Sequence, residues 1–419
     1  MKTKQMIDRR GVLQSGLALM GGAAMLPVAC ATGAGARTRE GSSLAGAKRL
    51  VLVELFGGND GLETVIPYEE DIYHNNRPTT RIPKKEVLPI DDYRGFHPAM
   101  PNLRRAWDEG RMAIVEGCGY PVPVLSHFKS FEIWHTCREI GRASGDGWVG
   151  RLRAEAWGDD DRTETVVHIG SHLPYSLHSS DHAMLAFEAP ESYLFIGNER
   201  DESAYAEAGK PGMDRETSGG AGRVLERLRR KLRDAQETSP RVIEAARRYE
   251  PRVEYPRDEL GRSMRVVAAM IEAGFDTSVF SVALGNFDTH GPAQKVKHRE
   301  LLASWDGAVS AFLADIAGTQ TEEDTIVLAY SEFGRRLAEN ASNGTDHGAA
   351  GPMFLFGKPV EGGLYGAHPS LTDLDSDGNL KHNTDFRSVI GTVVQDWFGV
   401  EQAAVLPREF PTLPLLRKA

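Results

Sequence analysis

The stretch Lys48-Arg49-Leu50-Val51-Leu52-Val53-Glu54-Leu55-Phe56-Gly57-Gly58-Asn59-Asp60-Gly61 is apolar and rich in β-branched residues up to Phe56, then breaks into glycines. A short run of this kind predicts a strand buried on both faces and ended by a tight turn. The pattern recurs at Arg111–Gly117, Thr165–Ile169, Val279–Leu284 and Thr325–Tyr330. Helical spacing lies between these runs, at Pro101–Gly110, Ser126–Ile140, Leu260–Ala273, His298–Ala317 and Phe386–Phe398. Strands alternating with helices imply an α/β fold, a mainly parallel central sheet with helices on both faces. From about Gly141 to Glu216 the pattern loosens into a stretch rich in Gly, Asp, His and Ser. From Gly222 to Tyr249 the chain is then strongly charged, with Leu225, Leu228 and Leu232 at helical spacing. Residues 141–257 are therefore expected to form an α-rich insertion within one domain spanning 48–419.

Residues 1–31 stand apart from that pattern. Asp8-Arg9-Arg10-Gly11-Val12-Leu13 resembles a twin-arginine motif and leads into a Gly/Ala-rich apolar run from Val12 to Ala29. The run is too short and too glycine-rich for a membrane span, and it reads as a signal peptide. Ala29-Cys30-Ala31 fits a small-x-small cleavage site, and residues 32–47 then read as a flexible linker. Leu26-Pro27-Val28-Ala29-Cys30 offers an alternative, a lipid anchor on Cys30. The expected export partner is the twin-arginine translocase. The expected location is periplasmic or extracellular, with no transmembrane helix in the mature chain.

Composition narrows the function classes. Of 419 residues, 41% are hydrophobic and 26% charged, a globular balance, and the net charge of −10 offers no basic footprint for nucleic acid. Cys118 and Cys137 either form one disulfide or stay as buried thiols, and no CxxC or Cys/His ladder marks a cysteine metal site. The tryptophans are spread along the chain and read mostly as core. No Gly-x-Gly-x-x-Gly after a strand and no haem-attachment motif supports an electron carrier.

Polar clusters follow the expected strands. Asn59-Asp60 follows the first, Asp288-Thr289-His290 follows Val279–Leu284, Glu332 follows Thr325–Tyr330, and Asp346-His347 lies in the next loop. In open α/β sheets, ligands gather outside the carboxyl ends of the strands. Carboxylates and neutral imidazoles are the donors that zinc or manganese take from proteins, so Asp60, Asp288, His290, Glu332, Asp346 and His347 are candidate ligands for one or two divalent ions. The expected metal is zinc, with manganese or calcium as alternatives. Ser126 opens an expected helix, where backbone N–H groups favour an anion. It either caps that helix or acts as a nucleophile, with His127 beside it as a proton donor or ligand. Asn59 and Arg335 are candidate substrate contacts; arginines placed like Arg335 also lock onto carboxylates. His168, His172, His178 and His182 either line a pocket or form a solvated loop.

Leu55-Phe56-Gly57-Gly58-Asn59-Asp60-Gly61-Leu62, Ser126-His127-Phe128, Phe287-Asp288-Thr289-His290, Ser331-Glu332-Phe333-Gly334-Arg335, Gly344-Thr345-Asp346-His347-Gly348 and Gly362-Gly363-Leu364-Tyr365-Gly366 follow in order. This set resembles the bacterial domain-of-unknown-function 1501 family, whose members are typically exported by the twin-arginine route. That family is similar to the alkaline phosphatase and sulfatase superfamily. The resemblance implies an alkaline-phosphatase-like fold and a two-metal centre, with Asp60 as the first-strand ligand, Ser126 as the nucleophile, Asp288 and His290 as a ligand pair and His347 as the late histidine. Glu332 stands where that superfamily usually has Asp-His. The resemblance also implies a metal-dependent hydrolase acting on a small anionic phosphate or sulfate ester, or on a sulfated or phosphorylated polymer. The alternative is a non-catalytic exported module that keeps the fold to bind metal or polysaccharide.

Overall fold

The computed structural model describes residues 48–139, 141, 145–158, 162–171, 173–193 and 237–418. The signal peptide, the linker, Cys30, His172 and the charged stretch before residue 237 lie outside the described residues.

Strand β1 (Arg49–Leu55) is buried along its whole length. It pairs in parallel with β5 (Val279–Leu284), Leu50 opposite Val279, and with β6 (Thr325–Tyr330), Leu52 opposite Leu328. The other strands of this sheet are β2 (Met112–Gly119), β3 (Val166–Ile169), β4 (Leu185–Phe187), β7 (Gly351–Phe356), β8 (Gly363–Tyr365) and β9 (Thr384–Asp385). They form one nine-stranded sheet in the order β8-β2-β7-β6-β1-β5-β3-β4, with β9 paired to β2. Only β7 runs antiparallel, between β2 and β6. The fold is thus α/β with a mostly parallel central sheet.

Side chains alternate across the sheet, as the strand period requires. Val51, Val53 and Leu55 of β1 pack with Val327 and Ala329 of β6 into one core. Against that face lie helices α1 (Pro101–Asp108), α4 (Glu259–Glu272) and α5 (Gln294–Asp315). Leu50 and Leu52 pack with Ile326 and Leu328 into the other core, covered by α2 (His127–Thr136), α3 (Trp148–Trp157) and α6 (Phe386–Thr392). Glu54 breaks the apolar run of β1 on this second face. Its Oε1 lies 2.5 Å from Nε2 of His135 on α2, and both side chains are buried. That pair ties α2, which begins at His127, to the middle of the sheet.

Within residues 141–257, Val166–Ile169 and Leu185–Phe187 pair with the central sheet beyond β5. Val166–Ile169 falls where a strand is expected, whereas irregular, polar connections hid the short strand Leu185–Phe187. Residues 237–248 are helical, and Leu225, Leu228 and Leu232, whose spacing carries the helical expectation, lie outside the described residues. Cys118 and Cys137 are free and buried, and burial pushes both thiols above their usual range. His168 is buried with Nδ1 3.1 Å from Ser281 Oγ, whereas His178 stacks on Tyr175 and is half exposed, so the two do not line one pocket. Among the described residues no helix is long and apolar enough to cross a membrane.

Candidate metal centre

The loops after β1, β2, β5 and β6 leave the sheet at its carboxyl edge. The chain enters the antiparallel β7 from the same edge, just after His347. Close approach of these loops depends on Gly57 and Gly58. Gly57 has φ +117 and Gly58 φ +73, a region that favours glycine. A Cβ on Gly57 would lie 2.5 Å from the Asp288 backbone N, and one on Gly58 would lie 2.6 Å from Cε2 of Phe333.

Arg335 fastens the loops together from below. Its buried guanidinium donates from Nε to Gly58 O (2.8 Å) and from Nη2 to Gly57 O (2.6 Å), Phe287 O (3.0 Å) and Asp288 Oδ1 (3.1 Å). Nη1 donates to Thr345 O (3.1 Å). Arg335 therefore holds Asp288 in place, and its donors are committed within the protein. The expectation of a substrate-facing arginine gives way to its other reading, a lock onto a carboxylate.

Asp288 sits among three imidazoles. Its Oδ1 is 2.8 Å from His290 Nε2 and 2.9 Å from His347 Nε2, and its Oδ2 is 3.2 Å from His127 Nε2. The Nε2 atoms of His290 and His347 are 3.0 Å apart. Ligand-type atoms of His127, Asp288 and His347 all lie within 4.8 Å of one another. Burial alone would raise the Asp288 carboxyl, but the His347 hydrogen bond and the charges of His127 and Arg335 hold it well below the usual range. The hydrogen bond to Glu332 raises His127 against the effect of its partial burial.

The other ring nitrogens fix the tautomers. His347 Nδ1 lies 2.8 Å from the carbonyl oxygen of Leu125, and His127 Nδ1 lies 2.6 Å from Glu332 Oε1. Both partners can only accept, so each Nδ1 carries a hydrogen; when the ring is neutral its Nε2 turns a lone pair toward Asp288, and when it is protonated Nε2 donates to that carboxylate. His127 Nε2 is buried and has no hydrogen-bond partner. Lone pairs converging on a carboxylate repel unless a proton or a cation stands between them. Ligand atoms on one zinc, each bonded at roughly 2.0–2.1 Å, stand about 3.3 Å apart, close to the separations seen here. The donor set therefore fits a divalent cation.

The remaining candidates fall into different settings. Asp346 is at the rim, with Oδ1 2.9 Å from Asn340 Nδ2 and 3.5 Å from His290 Nδ1. Glu332 is fully buried on the far side of the His127 ring. Asp60 caps the short turn Gly61–Thr64 and pairs with Arg77 at 2.8 Å, in a buried network with Glu63, Gln294 and Thr345. Asn59 Oδ1 accepts from Thr64 Oγ1 and lies 2.9 Å from His298 Nε2, also buried. Asp60 and Asn59 thus stand in a layer beneath the cluster rather than in it. Ser126 is exposed at the start of α2, and its side chain makes no capping bond. Arg77, Glu63, Gln294 and His298 went unnoticed in the sequence because nothing in their spacing sets them apart. Phe56, 46% exposed, stacks 6.1 Å from the His127 ring, and Phe128, next to His127 in the chain, is 86% exposed.

An α/β sheet with imidazoles and carboxylates gathered at its carboxyl edge defines the class. The chain belongs to the family described as "Protein of unknown function (DUF1501)", whose model matches residues 170–405. Solved structures similar to it include the C-terminal periplasmic domain of EcEptC from Escherichia coli in complex with Zn. Identity is 9%, with 89% of this chain and 92% of that one covered and a TM-score of 0.40. The PsFucS1 sulfatase from Pseudoalteromonas sp. is 10% identical, with 85% and 68% covered and a TM-score of 0.37. A protein in the alkaline phosphatase superfamily from Vibrio parahaemolyticus is 10% identical, with 85% and 70% covered and a TM-score of 0.34. No curated protein matches the sequence.

Proposed function

We propose that this chain is an exported, metal-dependent hydrolase of phosphate or sulfate esters. The observation that carries the reading is the meeting of His127, Asp288, His290 and His347 at one rim of the sheet, with the buried His127 Nε2 3.2 Å from Asp288 Oδ2. These residues would hold one divalent cation. An imidazole-rich set suits zinc better than calcium, which takes oxygen ligands. Such an ion supplies Lewis-acid polarisation of an ester oxygen. The protein's own part is to keep the donors aligned. Leu125 O and Glu332 hold the Nδ1 hydrogens of His347 and His127, and Arg335 holds Asp288. Ser126, exposed at the start of α2, is the group available to attack phosphorus or sulfur. Residues 1–31 would address the protein to the twin-arginine translocase, residues 32–47 would tether it, and 48–419 would form the exported domain.

A second reading, a non-catalytic module that binds metal or polysaccharide, draws support from Arg335, whose committed donors leave it unable to take an anionic substrate. One experiment separates the two. The mature protein, purified without added metal, is assayed for zinc, manganese and calcium content, then tested on aryl phosphates and sulfates. Bound metal with turnover that disappears in Asp288→Ala and His347→Ala supports the hydrolase. Bound metal with no turnover across the ester panel leaves the binding module. Absence of metal removes the hydrolase and leaves polysaccharide binding alone.

A further inference from the structure

Resting on that cation site, we infer that Glu332 is a positioning residue that acts through His127 and does not itself hold the cation. Its carboxylate is fully buried and already engaged on both oxygens. Oε1 lies 2.6 Å from His127 Nδ1 and accepts from the Gly57 N–H at 3.0 Å, while Oε2 accepts from Ser331 Oγ at 2.9 Å. The Glu332 backbone is pinned as well, since Ser130 Oγ on α2 donates to its carbonyl oxygen at 2.6 Å. One residue at the end of β6 thus grips the first turn of α2 at two points.

The consequence falls on His127. A carboxylate at Nδ1 keeps the hydrogen there and leaves the Nε2 lone pair for the cation. It also makes the ring a stronger donor. The ring cannot easily turn away, because Phe333 lies 4.8 Å and Phe56 6.1 Å from it, centroid to centroid. For Glu332 to bind the cation directly, it would have to release these donors and pass the His127 ring, which stands between it and Asp288.

The test uses the full mature protein and zinc alone, with affinity read by chelator competition and ligand number by the absorption of the cobalt-substituted form. Four proteins are compared: wild type, E332Q, H127A and the double variant. E332Q is expected to weaken zinc roughly 10- to 100-fold while keeping the cobalt spectrum of the wild type. H127A is expected to weaken zinc at least as much and to change that spectrum. The double variant is expected to match H127A, because Glu332 has nothing left to act on. Effects that multiply in the double variant, or a ligand lost from the cobalt spectrum of E332Q, would make Glu332 a ligand and overturn the inference. Wild-type affinity in E332Q would overturn it too. If E332Q does not fold, the imidazole nitrogens of zinc-loaded wild type answer by NMR. A hydrogen on Nδ1 of His127 is expected, and a hydrogen on Nε2 overturns the inference. No zinc or cobalt bound by the wild type would instead sink the cation site itself.

Discussion

Replacing Arg77 with methionine should cost the fold about 4 kcal/mol at pH 7, in the range for breaking a buried ion pair from one side. Arg77 is fully buried and donates to Asp60 Oδ2 (2.8 Å), Glu63 Oε1 (3.0 Å), Leu337 O (3.0 Å) and Arg336 O (2.8 Å). The two carboxylates do not share the load equally. Burial, with Asp60 close by, pushes the Glu63 carboxyl up to about 8, while the charge of Arg77 outweighs burial at Asp60 and holds it below its usual value. One charge therefore faces Arg77 at neutral pH. R77M strands Asp60, but E63Q swaps a protonated acid for its isostere and should cost less than about 1 kcal/mol. The pH dependence has a definite sign. Glu63 holds its proton more tightly in the native state than its ordinary 4.5 allows, so its contribution is complete below 4.5 and fades as pH rises toward 8. E63Q should remove that slope. Urea unfolding of wild type, R77M and E63Q between pH 5 and about 8 measures all three effects. A cost below about 1 kcal/mol for R77M, or a larger cost for E63Q than for R77M, would refute the reasoning.

Two further predictions test the surrounding frame. Burial lowers His298 from its ordinary 6.5 to about 4, so the unfolded chain takes up the proton first. Stability should fall by about 3 kcal/mol as pH drops through that window, and H298N should flatten the slope in urea titrations. Gly57→Ala places a Cβ 2.5 Å from the Asp288 backbone at φ +117, so it should cost at least about 2 kcal/mol in thermal or urea unfolding and weaken metal retention.

The sheet was legible because its strands are buried on both faces and therefore uniformly apolar. Arg49–Leu55, Val279–Leu284 and Thr325–Tyr330 appear within a residue or so of their expected limits. Val166–Ile169 was found but given to an insertion, and Leu185–Phe187 was missed, since three residues between irregular segments carry no period. The final helix was expected through Phe398, but the α-helix ends at Thr392 and continues as a π-helical turn, Val393–Trp397. At the site, Asp288, His290 and His347 were legible because each follows a strand or precedes one at the carboxyl edge. Position along the chain could not say which carboxylates would be taken by arginine. Asp60 looks like its neighbours in sequence, yet Arg77, 17 residues on, claims it. One available signal went unused. Glu54 is a lone acid inside Leu50–Phe56, and an acid in a strand buried on both faces calls for a partner, which proves to be His135.

The grip of Arg335 on main-chain oxygens from three separate loops bears on how the centre fills. Those bonds run wholly within the protein, so under the proposed function they would hold the socket in shape before an ion enters it. An arriving ion meets a pre-shaped cage and sets few chain torsions, which keeps the entropic penalty of loading small. Emptied and filled forms should then superimpose closely at these loops.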